Sequence, residues 1–171
     1  MRRAEGAPAG LIGAGEARPV WSQVRRTTEV AVPAETARAL ADRIGAARPR
    51  LESRFGAPLG ACEPPQFLRY GPGDYFVAHQ DGNTALLPDR SRLRRVSLVL
   101  FVSGPEDYAG GGLVLHEAFP GAGRLPLRPA AGTLVAFRAE TTHEVAPVTK
   151  GRRLTVAAWM RAAEPTASPG P

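Results

Sequence analysis

The chain has 171 residues, of which 43% are hydrophobic and 22% are charged, as expected for a single globular domain. No apolar run reaches the roughly 18 residues that a membrane-spanning helix needs, so a membrane protein is not expected. Cys62 is the single cysteine, which excludes an internal disulfide and a cysteine-based zinc site and favours a cytoplasmic location.

The two ends of the chain differ in composition from the rest. Residues 1–20 mix basic and small residues but lack the apolar core of a signal peptide, so we predict a flexible leader there. We predict a single domain over residues 21–162 and a flexible tail over residues 163–171. The formal net charge is +6, but arginine is spread along the chain rather than grouped in one run, so nucleic-acid binding is not expected. No pattern predicts an oligomeric state.

The first predicted elements are a strand and two helices. Residues 25–32 (RRTTEVAV) carry β-branched residues suited to an edge strand, and Pro33 supplies the first turn of a helix. The apolar residues that follow at helical spacing are Leu40, Ile44, Leu51 and Phe55. Pro49 interrupts them, which predicts two consecutive helices that pack on a sheet.

From Gln66 onward the pattern changes to short β-rich runs separated by Gly and Pro. The runs are QFLRY, DYFVAH, RRVSLVLFV, GLVLHE, RLPLRP, GTLVAF, HEVAPV and RRLTVAAWM. Such strands after a helical preface predict a mainly β (α+β) fold, a double-stranded β-helix or jelly roll with the N-terminal helices packed on the sheet. Residues 89–95 (DRSRLRR) are the least regular segment, and we predict that they form a loop beside the functional site.

The pattern His79-Gln80-Asp81 ends one of these strands. Strand alternation puts His79 and Asp81 on one face, where an imidazole and a carboxylate can take neighbouring positions on an octahedral metal ion. A distant His143 can supply a third ligand and leave three positions open, as in non-haem iron oxygenases. A His-x-Asp triplet alone is common, and a histidine in a strand more often has a structural role than a metal-binding one. The surrounding sequence is therefore needed to choose between these two interpretations.

Five segments carry a resemblance to a known family. They are LRYGPGDYFVAHQDG, RRVSLVLFV, GGGLVLHE, GTLVAF and HEVAPVTKGRR with a Trp beyond it. Over roughly residues 65–160, the chain resembles the iron(II)/2-oxoglutarate-dependent dioxygenases of the prolyl 4-hydroxylase type. The resemblance implies that His79, Asp81 and His143 bind Fe²⁺ and that 2-oxoglutarate and O₂ are consumed, with ascorbate as an additional cofactor. Related halogenases replace the carboxylate with a small residue, so Asp81 implies hydroxylation.

The same resemblance assigns residues that bind 2-oxoglutarate. In the family, a Lys or Arg ten residues after the second histidine, in a Gly-x-Lys/Arg setting and six residues before a Trp, binds the far carboxylate, and Arg153 meets these conditions. Alternation along the strand puts Thr155 in the same pocket. Tyr70 is a further candidate, although its ring could equally be a core residue. A bulge after Gly151 would bring Arg152 inward instead, so Arg152 stays an alternative.

Other candidate residues are given structural interpretations. His116 follows a glycine-rich segment that the family uses structurally, and Glu144 is expected to face away from His143, so neither is predicted to bind the metal. Cys62 has no activating neighbour in the sequence and is interpreted as an inert thiol. Phe101 stands where some relatives carry a second tyrosine, so the contacts to the cosubstrate would differ there.

The resemblance implies a hydroxylase whose substrate is a peptide, an amino acid or a small molecule, with prolyl hydroxylation as the family default. Two alternatives stay open, a natural-product hydroxylase and a non-catalytic jelly-roll module that binds a metal. Nucleic-acid demethylases of the superfamily carry a second arginine where this chain has Trp159, which disfavours base repair.

Overall fold

The computed structural model describes residues 6–8, 21–83, 90–117, 120–121 and 123–164. The helices within these residues are α1 (Trp21–Val24), α2 (Ala34–Ala46) and α3 (Arg48–Phe55). The two predicted helices, α2 and α3, are confirmed. They meet at Ala47, and Pro49 lies in the first turn of α3, where a missing backbone N–H costs no hydrogen bond. No helix of the described ranges combines the length and the apolar character needed to cross a bilayer.

Antiparallel strands form two main sheets and a short ribbon. The larger sheet has the spatial order β1 (Gly6–Pro8), β3 (Thr28–Val30), β5 (Gln66–Tyr70), β14 (Arg153–Ala162), β7 (Arg94–Phe101) and β11 (Leu134–Arg138), with β4 (Leu59–Cys62) also paired to β14. The smaller sheet has the order β10 (Arg124–Leu127), β9 (Leu113–His116), β12 (His143–Val145), β6 (Tyr75–His79) and β2 (Arg25–Arg26). The ribbon pairs β13 (Val148–Gly151) with β8 (Tyr108–Gly110). This is the predicted jelly roll, and neither sheet closes into a barrel.

The helices cover one face of the larger sheet. Ile44 and Leu51 of the helices pack in one core cluster with Val96, Leu98 and Met160 of the sheet. Each such side chain contributes roughly 1.5–3 kcal/mol when it is fully buried. The opposite face of β14 and β7 looks toward the smaller sheet, so the space between the two sheets is available for a site.

Three regions differ from the sequence predictions. The single strand predicted over residues 25–32 is divided between the two sheets, because the chain passes from β2 to β3 at Thr27, whose hydroxyl donates to the carbonyl of Arg69 at 2.9 Å. The loop predicted over residues 89–95 is wrong for its described part, since Arg90–Leu93 forms a 3-10 helix and Arg94 begins β7. Asp89 lies outside the described residues. Strands β4, β8 and β13 were not predicted as separate elements.

The predicted leader and tail fall mostly on residues that the structure does not describe. Of residues 1–20, only Gly6–Pro8 are described, and they pair with β3. Of residues 163–171, only the first two are described. The flexible leader, the flexible tail and the domain bounds therefore stay predictions.

Candidate functional site

The structure brings together the side chains of His79, Asp81 and His143, which we call the His/Asp cluster. His79 is the last residue of β6, His143 is the first residue of β12, and the two are partners across these neighbouring strands. Asp81 follows β6 by two residues, and its backbone N–H donates to the carbonyl of Ala139 at 2.9 Å. One ligand atom from each side chain lies within 4.8 Å of the others. His79 and His143 are 64 positions apart in the sequence and are neighbours in the smaller sheet.

Backbone carbonyls fix the orientation of both imidazoles. The Nδ1 atom of His79 lies 2.8 Å from the carbonyl oxygen of Val77, and Nδ1 of His143 lies 2.9 Å from that of Thr141. A carbonyl can only accept, so each Nδ1 carries a proton and Nε2 is the nitrogen available to a metal. The two Nε2 atoms face the Asp81 carboxylate, at 3.5 Å from Oδ1 for His79 and 3.4 Å from Oδ2 for His143.

Aromatic rings hold the imidazoles in place. The Phe76 ring stacks on the ring of His79 with centroids 3.5 Å apart and planes 17° apart. The Phe137 ring meets the ring of His143 edge-on at 4.7 Å. Packed rings of this kind restrict rotation about the side-chain bonds, so the two Nε2 atoms are directed before any ligand binds.

Burial and charge set the protonation of the cluster. Burial lowers the pKa of His143, so this imidazole is neutral at neutral pH. Burial alone would raise the pKa of Asp81, but the neighbouring His143 and His79 outweigh it and hold the pKa well below its usual range. The cluster therefore contains an ionised carboxylate, with the Nε2 atom of each imidazole directed at it.

This donor set fits a ferrous ion. Two imidazoles and one carboxylate on one side of a metal match the facial arrangement of non-haem iron sites, which leaves positions for a cosubstrate and oxygen. A structural zinc site would require four protein ligands. Among the described residues, the His/Asp cluster is the group of side chains close enough together to hold a metal ion.

A cavity of about 250 Å³ extends from the cluster between the two sheets. One wall is the inner face of β14, which contributes alternate residues. They are Arg153, Thr155, Ala157 and Trp159. Tyr70, at the end of β5, pairs with Arg153 across the sheet and lines the same cavity. All six site residues predicted from the sequence thus line one cavity.

Arg153 is a buried cation whose charge no anion of the described residues compensates. Only 1% of its surface is exposed, and its Nη1 donates to the Thr155 hydroxyl at 3.2 Å. Its guanidinium carbon lies 5.1 Å from the ring centres of both Tyr70 and Phe101, and its Nε has no hydrogen-bond partner. In the part of the chain that the structure describes, no carboxylate lies within ion-pair distance of it. Burial lowers its pKa, yet a guanidinium stays charged, so the site fits an incoming carboxylate.

The rival candidates lie elsewhere. Arg152 is exposed, and its backbone N–H bonds to the carbonyl of Asp107 at 3.2 Å. His116 lies outside the cluster, with Nε2 3.7 Å from Glu144, which also pairs with Arg124. Burial raises the pKa of Cys62, as expected for an unreactive thiol.

Sequence reasoning missed two residues beside the cluster. Arg94 is buried against Glu63 at 2.7 Å, lies 3.8 Å over the Trp159 ring and lines the cavity. Its partner is 31 positions away in sequence, so no local pattern shows the pair. Ser97 donates to Oδ2 of Asp81 at 2.7 Å. A polar residue within the apolar run RRVSLVLFV was the signal that could have revealed it.

A jelly roll with two histidines and one carboxylate at the wall of an internal cavity is typical of non-haem iron oxygenases. The model of one such family, the 2OG-Fe(II) oxygenase superfamily, matches residues 65–161. Because this match spans more than half of the chain, the protein belongs to that superfamily.

Curated relatives are similar over most of this chain. A PKHD-type hydroxylase of Burkholderia ambifaria (strain MC40-6) is 36% identical over 140 residues, which are 81% of this chain and 60% of the relative. A PKHD-type hydroxylase of Phenylobacterium zucineum (strain HLK1) is 40% identical over 100 residues, covering 57% of this chain and 43% of the relative. The chain spans about 60% of the length of the first of these relatives.

Solved structures share the fold. A prolyl-4-hydroxylase of Pseudomonas putida has a TM-score of 0.67 and 24% identity, covering 86% of this chain and 78% of that protein. A prolyl hydroxylase of Trichoplax adhaerens has a TM-score of 0.70 and 17% identity, covering 91% of this chain and 70% of that protein. It was solved with a peptide fragment of the oxygen degradation domain of hypoxia inducible factor. These similarities confirm the predicted fold class.

Proposed function

We propose that this protein is a hydroxylase that binds Fe²⁺ through His79, Asp81 and His143 and uses 2-oxoglutarate and O₂. The observation that carries the proposal is one cavity bounded by the His/Asp cluster and by Arg153, a buried cation without an anionic partner in the described part of the chain. A three-ligand metal site and a carboxylate-binding site in one cavity match a cosubstrate with a metal-binding end and an anionic end. The bound iron would supply the activation of O₂.

The protein's own residues position and protect the reactants in this proposal. Arg153 and Thr155 bind the far carboxylate of 2-oxoglutarate, and Tyr70 packs beside it. The two histidines and Asp81 would hold the iron and leave positions on it for the cosubstrate and O₂. One oxygen atom of O₂ ends in succinate and the other in the new hydroxyl group, while carbon dioxide carries away the former keto-acid carboxyl.

We propose a prolyl residue or an amino-acid-like molecule as the substrate. The support is the names of similar proteins, which include PKHD-type hydroxylases and a prolyl hydroxylase solved with a peptide. Natural-product hydroxylation would use the same site, and a panel of substrates distinguishes it from hydroxylation of a prolyl residue or an amino acid. Ascorbate as an additional cofactor, a cytoplasmic location and the absence of nucleic-acid binding stay predictions.

A non-catalytic module that binds a metal is the second candidate. Such a module has no use for Arg153, because a buried cation without a partner lowers stability. The presence of this residue in the cavity therefore favours the enzyme.

The test is anaerobic reconstitution of the full chain with Fe²⁺, followed by addition of 2-oxoglutarate and O₂. Succinate is measured with a panel of proline-containing peptides, free amino acids and small natural products. We expect succinate above the no-iron background, and the panel member that raises it most, with a mass increase of one oxygen, identifies the substrate class. Iron binding without succinate for any panel member would favour the binding module, and no iron binding would contradict both functions.

A further inference from the structure

Ser97 directly contacts the metal-binding carboxylate. It lies in the middle of β7, is 1% exposed, and its hydroxyl donates to Oδ2 of Asp81 at 2.7 Å. That length is typical of a hydrogen bond between a hydroxyl and an ionised carboxylate, which is about twice as strong as a neutral one. The other oxygen, Oδ1, lies 3.5 Å from Nε2 of His79, and Oδ2 itself lies 3.4 Å from Nε2 of His143.

The position of Ser97 is rigid. Its backbone pairs with Phe137 of β11 on one side and with Trp159 of β14 on the other. Its neighbours Val96 and Leu98 are each 1% exposed. The hydroxyl that holds Oδ2 is thus attached to the centre of the larger sheet, and not to the turn that carries Asp81.

The buried hydroxyl of Ser97 calls for a physical explanation. A buried hydroxyl without a partner costs roughly 1–3 kcal/mol, so its hydrogen-bond partner is the first place to look for its role. Ser103, near the end of the same segment, is also fully buried, but it exchanges hydrogen bonds with the backbone of Leu154. Ser97 instead bonds to a side chain, and that side chain is a proposed metal ligand.

The number of Asp81 oxygens on the metal decides how many positions stay free. An octahedral ion with two histidines and a carboxylate bound through one oxygen has three free positions, enough for a chelating keto acid and O₂. If both carboxylate oxygens bind, two positions remain, and the keto acid occupies both.

We propose that Ser97 is a positioning residue that makes Asp81 bind the metal through Oδ1 alone, by holding Oδ2 against the larger sheet. This inference rests on the proposed function, because it concerns the same metal site. The Trp159 indole is a further polar neighbour of the carboxylate, but Ser97 supplies the short hydrogen bond to Oδ2.

The test compares the full-length wild type with Ser97→Ala, Ser97→Thr and Ser103→Ala, each loaded anaerobically with Mn²⁺. In crystal structures of the loaded proteins, we expect one Asp81 oxygen on the metal in the wild type and in Ser97→Thr, and two in Ser97→Ala. The threonine keeps the hydroxyl and suits a strand, so it should restore the wild-type arrangement. Ser103→Ala is the matched control, because it removes a buried serine hydroxyl from the same segment without touching Asp81.

A second measurement is the anaerobic titration of each metal-free protein with Mn²⁺. We expect the Kd for Mn²⁺ to rise about 10-fold in Ser97→Ala, because the carboxylate is no longer held in one orientation and residues that orient metal ligands have effects of this size, and to stay within about 2-fold in Ser97→Thr and Ser103→Ala. One Asp81 oxygen on the metal in Ser97→Ala, with an unchanged Kd, would overturn this inference alone. Failure of the wild type to bind Mn²⁺ or Fe²⁺ would overturn the proposed function together with it.

Discussion

The two ends of the cavity are built in opposite ways. At the metal end, each polar group already has a protein partner: backbone carbonyls accept from both Nδ1 atoms, and Ser97 donates to Asp81. At the other end, no described residue supplies an anion to Arg153 or a hydrogen-bond acceptor to its Nε. The protein thus prepares the metal end by itself and leaves the arginine end to be completed by a ligand.

This difference has an energetic meaning. Leaving a buried ion without compensation costs several kcal/mol of folding free energy. The fold tolerates this cost at Arg153 because β14 pairs with β5, β7 and β4. At the metal end, Glu63 pairs with the neighbouring Arg94, and the Asp81 carboxylate accepts a hydrogen bond from Ser97. Substitutions at the two ends should therefore have different effects on stability even where both abolish function.

The largest expected effect is at the metal end. Asp81→Ala removes the charged member of the three proposed ligands, so we expect the Kd for Fe²⁺ to rise about 100-fold or more, which exceeds the usual effect of losing a residue that only orients a ligand. Anaerobic calorimetric titration with Fe²⁺ measures it. Asp74→Ala is the matched control, because Asp74 precedes the same strand and pairs with Arg26. Equal Fe²⁺ affinity in Asp81→Ala and the wild type would show that the cluster is not the metal site.

The next effect distinguishes the arginine end. Arg153→Met should raise the Kd for 2-oxoglutarate by roughly 30-fold, equivalent to about 2 kcal/mol for the loss of one partner in a buried charge pair. The same change should raise the Tm of the ligand-free protein, because an apolar side chain replaces an uncompensated charge. Titration of the metal-loaded protein and thermal unfolding of the ligand-free protein provide the two readouts.

Arg152→Met is the control for that substitution, since Arg152 is the exposed neighbour. It should leave both the Kd for 2-oxoglutarate and the Tm nearly unchanged. A larger rise in Kd for Arg152→Met than for Arg153→Met would reverse the assignment of the anchor.

The smallest effect tests whether the ring contact and the hydrogen bond both orient the His79 imidazole. Phe76→Leu removes the ring stacked on His79 but leaves the hydrogen bond from Nδ1 in place. We expect a loss of about 1 kcal/mol in Fe²⁺ binding, or roughly a 5-fold higher Kd, from the aromatic contact alone. A loss as large as that of Asp81→Ala would mean that ring packing, and not the backbone carbonyl, orients the imidazole.

Much of the fold follows from local sequence. Apolar spacing and Pro49 identify α2 and α3, and alternating apolar runs identify the longer strands. The short strands β4, β8 and β13 are not visible in this way, because three or four residues give too few alternations to count. The division of residues 25–32 between two sheets is set by pairing with distant strands, which no local pattern encodes.

The site residues also fall into those that a local sequence pattern reveals and those that it does not. His79, Asp81 and Arg153 lie in patterns with characteristic spacing, and the structure places them in one cavity. The Glu63–Arg94 pair joins residues from separate elements and becomes visible only in three dimensions. Ser97 is intermediate, since its polarity within an apolar strand was a signal without an identified partner.

Two adjacent arginines follow the turn before β14, and one of them faces the cavity. Gly151 in this turn has a φ of +75°, and a Cβ at this position would collide with the carbonyl oxygen of Asp107. A strand presents successive residues to opposite sides, so the register of β14 against β5 and β7 decides which arginine faces inward. A slip of this register by one residue would put Arg152 in the cavity, and it would also turn the buried Leu154 and Val156 away from the core. The packing of the larger sheet and the choice of the inward arginine are therefore fixed together.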